Sequence, residues 1–140
     1  MSRSRRSAES PSEPLEFFVD RSLGRSTVEA LRALGWSVRH LCDVYPDDGQ
    51  HVADEDWIAH GVNQGWSLLT QDKKIRYRAH ERGALLGGKN AMFCLDRQDL
   101  LVADKVSRFH SCQSQINRAA LRGEASIYVV HDGRIEKKWP

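Results

Sequence analysis

Three acidic positions in the 140-residue chain stand where carboxylates do chemistry. Asp20 closes the apolar run Phe17-Phe18-Val19, and Asp72 follows Leu68-Leu69-Thr70-Gln71. Between them, Asp54-Glu55-Asp56 opens a stretch with helical periodicity. Carboxylates brought together raise one another's pKa unless a cation neutralises them. Hard oxygen donors with no organised Cys/His set select Mg²⁺ or Mn²⁺ over zinc. Such a cation activates water and stabilises the leaving oxygen of a phosphodiester, so the chemistry implied is metal-dependent phosphodiester hydrolysis. Each acid also has a purely structural use. Asp20 and Asp54 suit helix caps, Glu55 and Asp56 suit the positive end of a helix dipole, and Asp72 suits a tight turn. The order strand-acid, acid-helix, strand-Thr-x-Asp is what makes the set specific.

A cationic segment follows the last acid directly. Lys73, Lys74, Arg76, Arg78 and Arg82 fall within residues 73–82, opposed there by Glu81 alone. Phosphate affinity comes mainly from such cations, and Tyr77 among them suits stacking on an unpaired base. Arg21, just after Asp20, is expected to face the same groove. The six histidines and three cysteines complete no zinc spacing, and Cys94 and Cys112 read as buried small hydrophobes.

These groups need elements to hold them. Glu16-Phe17-Phe18-Val19 reads as a buried strand, and Ser22 to Leu34 as a helix stopped by Gly35. A second strand is expected over Trp36–Leu41, a loop over residues 43–53, and a helix over Asp54–Gln64 stopped by Gly65. Strands are expected at Trp66–Thr70 and Asn90–Leu95, with a short basic helix or turn to about Arg82 between them. The apolar positions Leu101, Val102, Val106, Phe109, Cys112, Ile116 and Ala120 predict one long amphipathic helix from about Asp99 to Leu121. Ser126 to Trp139, turning at His131-Asp132-Gly133, reads as a terminal hairpin. Alternating strands and helices imply right-handed crossovers. The expected fold is a three-layer α/β/α sandwich with a mainly parallel central sheet and a C-terminal β-hairpin. In such sheets ligands bind beyond the carboxyl ends of the strands, where Asp20 and Asp72 fall.

The acids and their surroundings resemble the PIN-domain family, in particular its PIN-like branch among VapC-type toxins. The carriers are Phe17-Phe18-Val19-Asp20-Arg21-Ser22-Leu23-Gly24, then Asp54-Glu55-Asp56-Trp57-Ile58, then Leu68-Leu69-Thr70-Gln71-Asp72-Lys73-Lys74-Ile75. The likeness covers residues 15–95, and the terminal helix and hairpin only loosely. It implies an Mg²⁺- or Mn²⁺-dependent ribonuclease, the toxin of a pair with an inhibitory protein antitoxin, acting on RNA such as transfer or ribosomal RNA. By the resemblance Asp20 takes the place of the first family acid and Asp72 that of the Thr-x-Asp acid. The middle acid lies in Asp54-Glu55-Asp56, with Asp54 taken first and Asp56 in reserve. Lys73, Lys74 and Ile75 stand where many relatives carry a further acid. That leaves a single metal, or a fourth ligand from Asp96 or Asp99, beside the two-metal arrangement.

Composition bounds these readings. With 40% hydrophobic and 29% charged residues the chain suits one folded domain, and a net charge of +2 does not by itself announce a nucleic-acid binder. Residues 1–14, rich in Arg and Ser, read as a flexible basic tail before a single domain over residues 15–140. No apolar run approaches the ~20 residues of a bilayer span, and the amino terminus lacks an apolar signal stretch, so no membrane partner and a cytoplasmic location are expected. A homodimer is the default expectation for assembly. The competing function is a catalytically inactive RNA- or partner-binding module, favoured by the lysine in place of the later acid. A phosphatase of the Asp-x-Asp type would need an acid at Ser22.

Overall fold

The computed structural model describes residues 15–45, 51–72, 74 and 78–140. The tail over residues 1–14 and the cations Lys73 and Arg76 lie outside the described residues. Six strands form one sheet: β1 (Glu16–Val19), β2 (Ser37–His40), β3 (Ser67–Thr70), β4 (Ala91–Leu95), β5 (Ser126–Val130) and β6 (Ile135–Trp139). Their order is β2-β1-β3-β4-β5-β6. The first five run parallel, and β6 pairs antiparallel with β5 as the expected hairpin. Strands β3, β4 and β5 are buried along their whole length, which is why they read as unbroken apolar runs rather than alternating ones.

Helices cover both faces. On one, α1 (Arg25–Ala33), α4 (Val102–Ser111) and α5 (Gln113–Leu121) bury Phe17, Val19, Leu69, Phe93 and Tyr128 against Val28, Leu31, Phe109 and Ile116. On the other, α2 (Asp54–Gln64) and α3 (Ala79–Leu86) bury Phe18, Leu68 and Met92 against Trp57, Ile58, Val62 and Leu85. Each fully buried side chain of this size contributes about 1.5–3 kcal/mol. The helix α2 has the predicted bounds, and Gly65 ends it in the left-handed region at φ 79°. Gly61 lets it sit close to the sheet. A Cβ there would stand 2.6 Å from Leu68 Cδ2 and 3.1 Å from Phe18 Cδ2.

Four expectations are corrected. The helix predicted from Ser22 is a 3₁₀ turn (Arg21–Leu23) and then α1, divided by Gly24 at φ 82°. The basic element expected to end near Arg82 overruns it, with Arg78 as the residue before α3 and the helix continuing to Leu86; of residues 73–77 only Lys74 is described. The long helix is two, because Cys112 at φ −102°, ψ 10° breaks it. That break lets Phe109 and Ile116 both reach a twisted sheet that a straight rod would leave on one side. The crossovers are not all of one hand. The connections β1-α1-β2 and β4-α4-α5-β5 share a face but run toward opposite edges of the sheet, so their hands are opposite. The connections through α2 and α3 share the hand of α1, which by the general preference makes the last connection left-handed. Burial explains the exception: without α4 and α5, Phe93, Leu95, Tyr128 and Val130 would lie bare beside α1. No helix among the described residues is long and apolar enough to cross a membrane.

Candidate active site

The strand order reverses between β1 and β3, since β1 leads to one edge of the sheet and β2 returns to the other side of β1. A crevice opens at such a point, because the helices leaving the two strands go to opposite faces. Asp20 and Asp72 stand on either side of it, beyond the carboxyl ends of β1 and β3. The Asp20 N–H donates to the Leu69 carbonyl at 2.9 Å, which joins the two strand ends.

Asp20 is 7% exposed and caps the turn Arg21–Leu23. Its Oδ2 accepts the Thr70 hydroxyl at 2.7 Å and the Ser22 hydroxyl at 3.0 Å. The Thr70 Oγ1 also accepts the Asp72 N–H at 3.0 Å, so one buried hydroxyl ties the first acid to the last. Asp72 Oδ1 in turn accepts the Lys74 N–H at 3.0 Å, a local turn of the kind Asp favours. Gln71 Nε2 donates to the Ser22 carbonyl at 2.7 Å and fastens the two loops together.

Asp54 is the first residue of α2, and Ala53 is the cap. The capping role is therefore not what Asp54 does. Its Oδ1 accepts the indole N–H of the buried Trp57 at 3.0 Å. Its Oδ2 accepts Arg78 Nη1–H at 3.2 Å, and the same nitrogen lies 3.9 Å from Asp72 Oδ2. The three acids line one cleft of about 370 Å³ together with Arg21, Ser22 and Trp57. Burial pushes the Asp20 carboxyl above its ordinary range. The Thr70 and Ser22 hydroxyls oppose that shift, and the nearby Asp54 charge adds to it.

Other predicted residues lie elsewhere. Asp56 is exposed and does not line the cleft; its charge, after burial, is the second cause that pushes the Tyr45 hydroxyl upward. Asp96 sits against Arg108 Nε at 3.0 Å and His131 Nδ1 at 3.6 Å, and Asp99 pairs with Arg97 at 2.9 Å. Neither supplies a fourth acid to the cleft. Arg21 does line it. Arg82 lies over the Trp139 ring, 5.6 Å from its centroid, while Lys74 is exposed. Arg78, expected among the RNA-binding cations, pairs with Asp54 and lies near Asp72. The sequence reading missed Ser22 as a support of Asp20 and Trp57 as the orienter of Asp54. Asp-x-Ser and Asp-x-x-Trp were the available signals, and the indole, 1% exposed, belongs to the core as well.

Among the described residues, no group of three His, Cys, Asp or Glu side chains is placed to hold an ion as it stands. The donor chemistry nevertheless fits a hard divalent cation. Three carboxylates share an oxygen-lined cleft, and a buried Asp20 whose ionised form is disfavoured gains most from a cation beside it.

Comparisons with known proteins agree with this architecture. The family model described as "PIN like domain" matches residues 15–97. A protein of Mycobacterium tuberculosis (strain ATCC 25618 / H37Rv), named "Putative ribonuclease VapC45", is 35% identical over 120 residues, covering 84% of this chain and 87% of its own length. No solved structure matches the chain.

Proposed function

The chain belongs to the PIN-like domain family, and from that premise we propose that it is a metal-dependent ribonuclease hydrolysing RNA phosphodiester bonds. The observation that carries the reading is the convergence of Asp20, Asp54 and Asp72, from three separate elements, on one cleft at the point of strand-order reversal. The ribonuclease name of the relative supports RNA as substrate, with transfer or ribosomal RNA the first candidates. The same VapC-type name supports a toxin role and an inhibitory protein antitoxin as partner.

Asp20, Asp54 and Asp72 would hold Mg²⁺ or Mn²⁺. Bound there, the ion supplies water activation and charge stabilisation of the leaving oxygen. The protein's own contribution is preorganisation. Thr70 and Ser22 fix Asp20, the Trp57 indole fixes Asp54, and the Thr70 hydroxyl with the Lys74 N–H fixes Asp72. Arg21 on the cleft wall, with Lys73, Lys74 and Arg76 beyond Asp72, would hold the RNA backbone. Asp56 remains outside this assignment because it is exposed away from the cleft.

The test is cleavage of mixed transfer and ribosomal RNA by purified protein with Mg²⁺, Mn²⁺ or EDTA, beside folded Asp72→Asn. Discrete products that need metal and vanish in the variant are expected. Equal products from both proteins would refute the site. Intact RNA with a salt-sensitive gel shift would favour the binding module.

A further inference from the structure

Both partly exposed acids of the cleft have one oxygen tied down and one turned to the same place. In Asp54, Oδ1 takes the Trp57 indole N–H and Oδ2 faces Arg78. In Asp72, Oδ1 takes the Lys74 N–H and Oδ2 faces Arg78. The point they share is Arg78 Nη1, 3.2 Å from one and 3.9 Å from the other. A guanidinium there does what a bridging cation would do, offsetting the repulsion of two carboxylates. It sits on a side chain that is 38% exposed, within reach of solvent and of an incoming phosphate. Arg78 is also the residue directly before α3, inside the cationic run that Arg82 closes.

We propose that Arg78 is an exchangeable counter-ion that links metal binding to RNA binding, an inference that rests on the nuclease reading above. Without metal it holds Asp54 and Asp72. A divalent ion competes for the same oxygens and releases the guanidinium, which then takes an RNA phosphate. Conversely, a phosphate that draws Arg78 away opens the carboxylates to metal. Because linkage is reciprocal, each ligand raises the affinity for the other by the same factor. The device keeps the acids balanced in the free protein and favours loading the cleft with metal when RNA is present.

The experiment measures Mn²⁺ affinity from the free-ion electron paramagnetic resonance signal, with and without a short 2′-O-methyl RNA. It compares the wild-type chain, Arg78→Met, which keeps an unbranched stem without charge, and Arg78→Ala. Without RNA, both variants are expected to bind Mn²⁺ about fivefold more tightly, which is about 1 kcal/mol at 1.4 kcal/mol per decade and suits half-exposed ion pairs. RNA is expected to tighten Mn²⁺ binding several-fold in the wild type and to leave both variants unchanged. Unchanged or weaker Mn²⁺ binding in both folded variants, or an RNA effect that persists in them, overturns the proposal. Asp54→Asn and Asp72→Asn separate the two levels. If they weaken Mn²⁺ binding while the Arg78 variants do nothing, the carboxylate site stands and only the exchange fails. If they too have no effect, the metal site fails and the exchange with it.

Discussion

Replacing Asp20 by Asn should make the metal-free protein more stable while removing a ligand of the proposed metal site. Asp20 is 7% exposed, and burial outweighs the lowering effect of the Thr70 and Ser22 bonds, so its folded carboxyl titrates above the ordinary 3.8. The native state then holds a proton that the unfolded chain has given up. The stability this group contributes is complete below 3.8 and is lost as pH rises through the raised folded value. At a pH above its ordinary value, burying this carboxyl is therefore a cost to the empty protein. Asn keeps a carbonyl to accept the two hydroxyls that Oδ2 accepts at 2.7 and 3.0 Å, and it removes both the buried charge and its repulsion with Asp54. The gain should be about 1 kcal/mol, which for a chain of this length is about 3 °C in Tm. Thermal unfolding in EDTA at neutral pH should show the variant above the wild type, with the gap closing on acidification to pH 4. Added Mn²⁺ should reverse the order, since a cation stabilises the ionised acid only in the wild type. A variant less stable than wild type at neutral pH in EDTA would refute the reasoning. The hydroxyl bonds to the charge would then outweigh its desolvation.

Three further outcomes follow from the same geometry. Thr70→Val removes a buried hydroxyl that donates to Asp20 and accepts from Asp72 N–H, so urea unfolding should show a loss of about 1.5–3 kcal/mol, and Mn²⁺ affinity should fall. Trp57→Phe keeps most of the core volume but loses the indole N–H to Asp54; cleavage should drop at least tenfold, and stability by about 1 kcal/mol or more, with circular dichroism unchanged. Gly61→Ala places a methyl 2.6 Å from Leu68 Cδ2 and should cost about 1–3 kcal/mol of stability through overpacking, read as a lower denaturation midpoint.

The sequence alone determined the strands, both ends of α2 and the acids at the strand ends, because each is written in local chemistry. Phe17-Phe18-Val19 and Leu68-Leu69-Thr70 are apolar on both faces as only a doubly covered strand is, and Gly65 stops α2 by its own left-handed backbone. Only the tertiary structure decided the rest. Asp54 and Asp56 lie two residues apart on a helix and so face nearly opposite directions; the seating of Gly61 against Leu68 and Phe18 fixes the phase that turns Asp54 to the cleft. The break at Cys112 and the unusual hand of the last crossover answer to the unburied half of a sheet face, a quantity spread over Phe93, Leu95, Tyr128 and Val130 that no local window contains. Arg78 looked like one more cation in a basic run. Its partner Asp54 is 24 residues away, and the pairing exists because α2 and α3 pack side by side on one face. Local periodicity records which way a residue faces within its element, whereas partnership across elements depends on how those elements dock, which is settled by burial summed over the whole sheet.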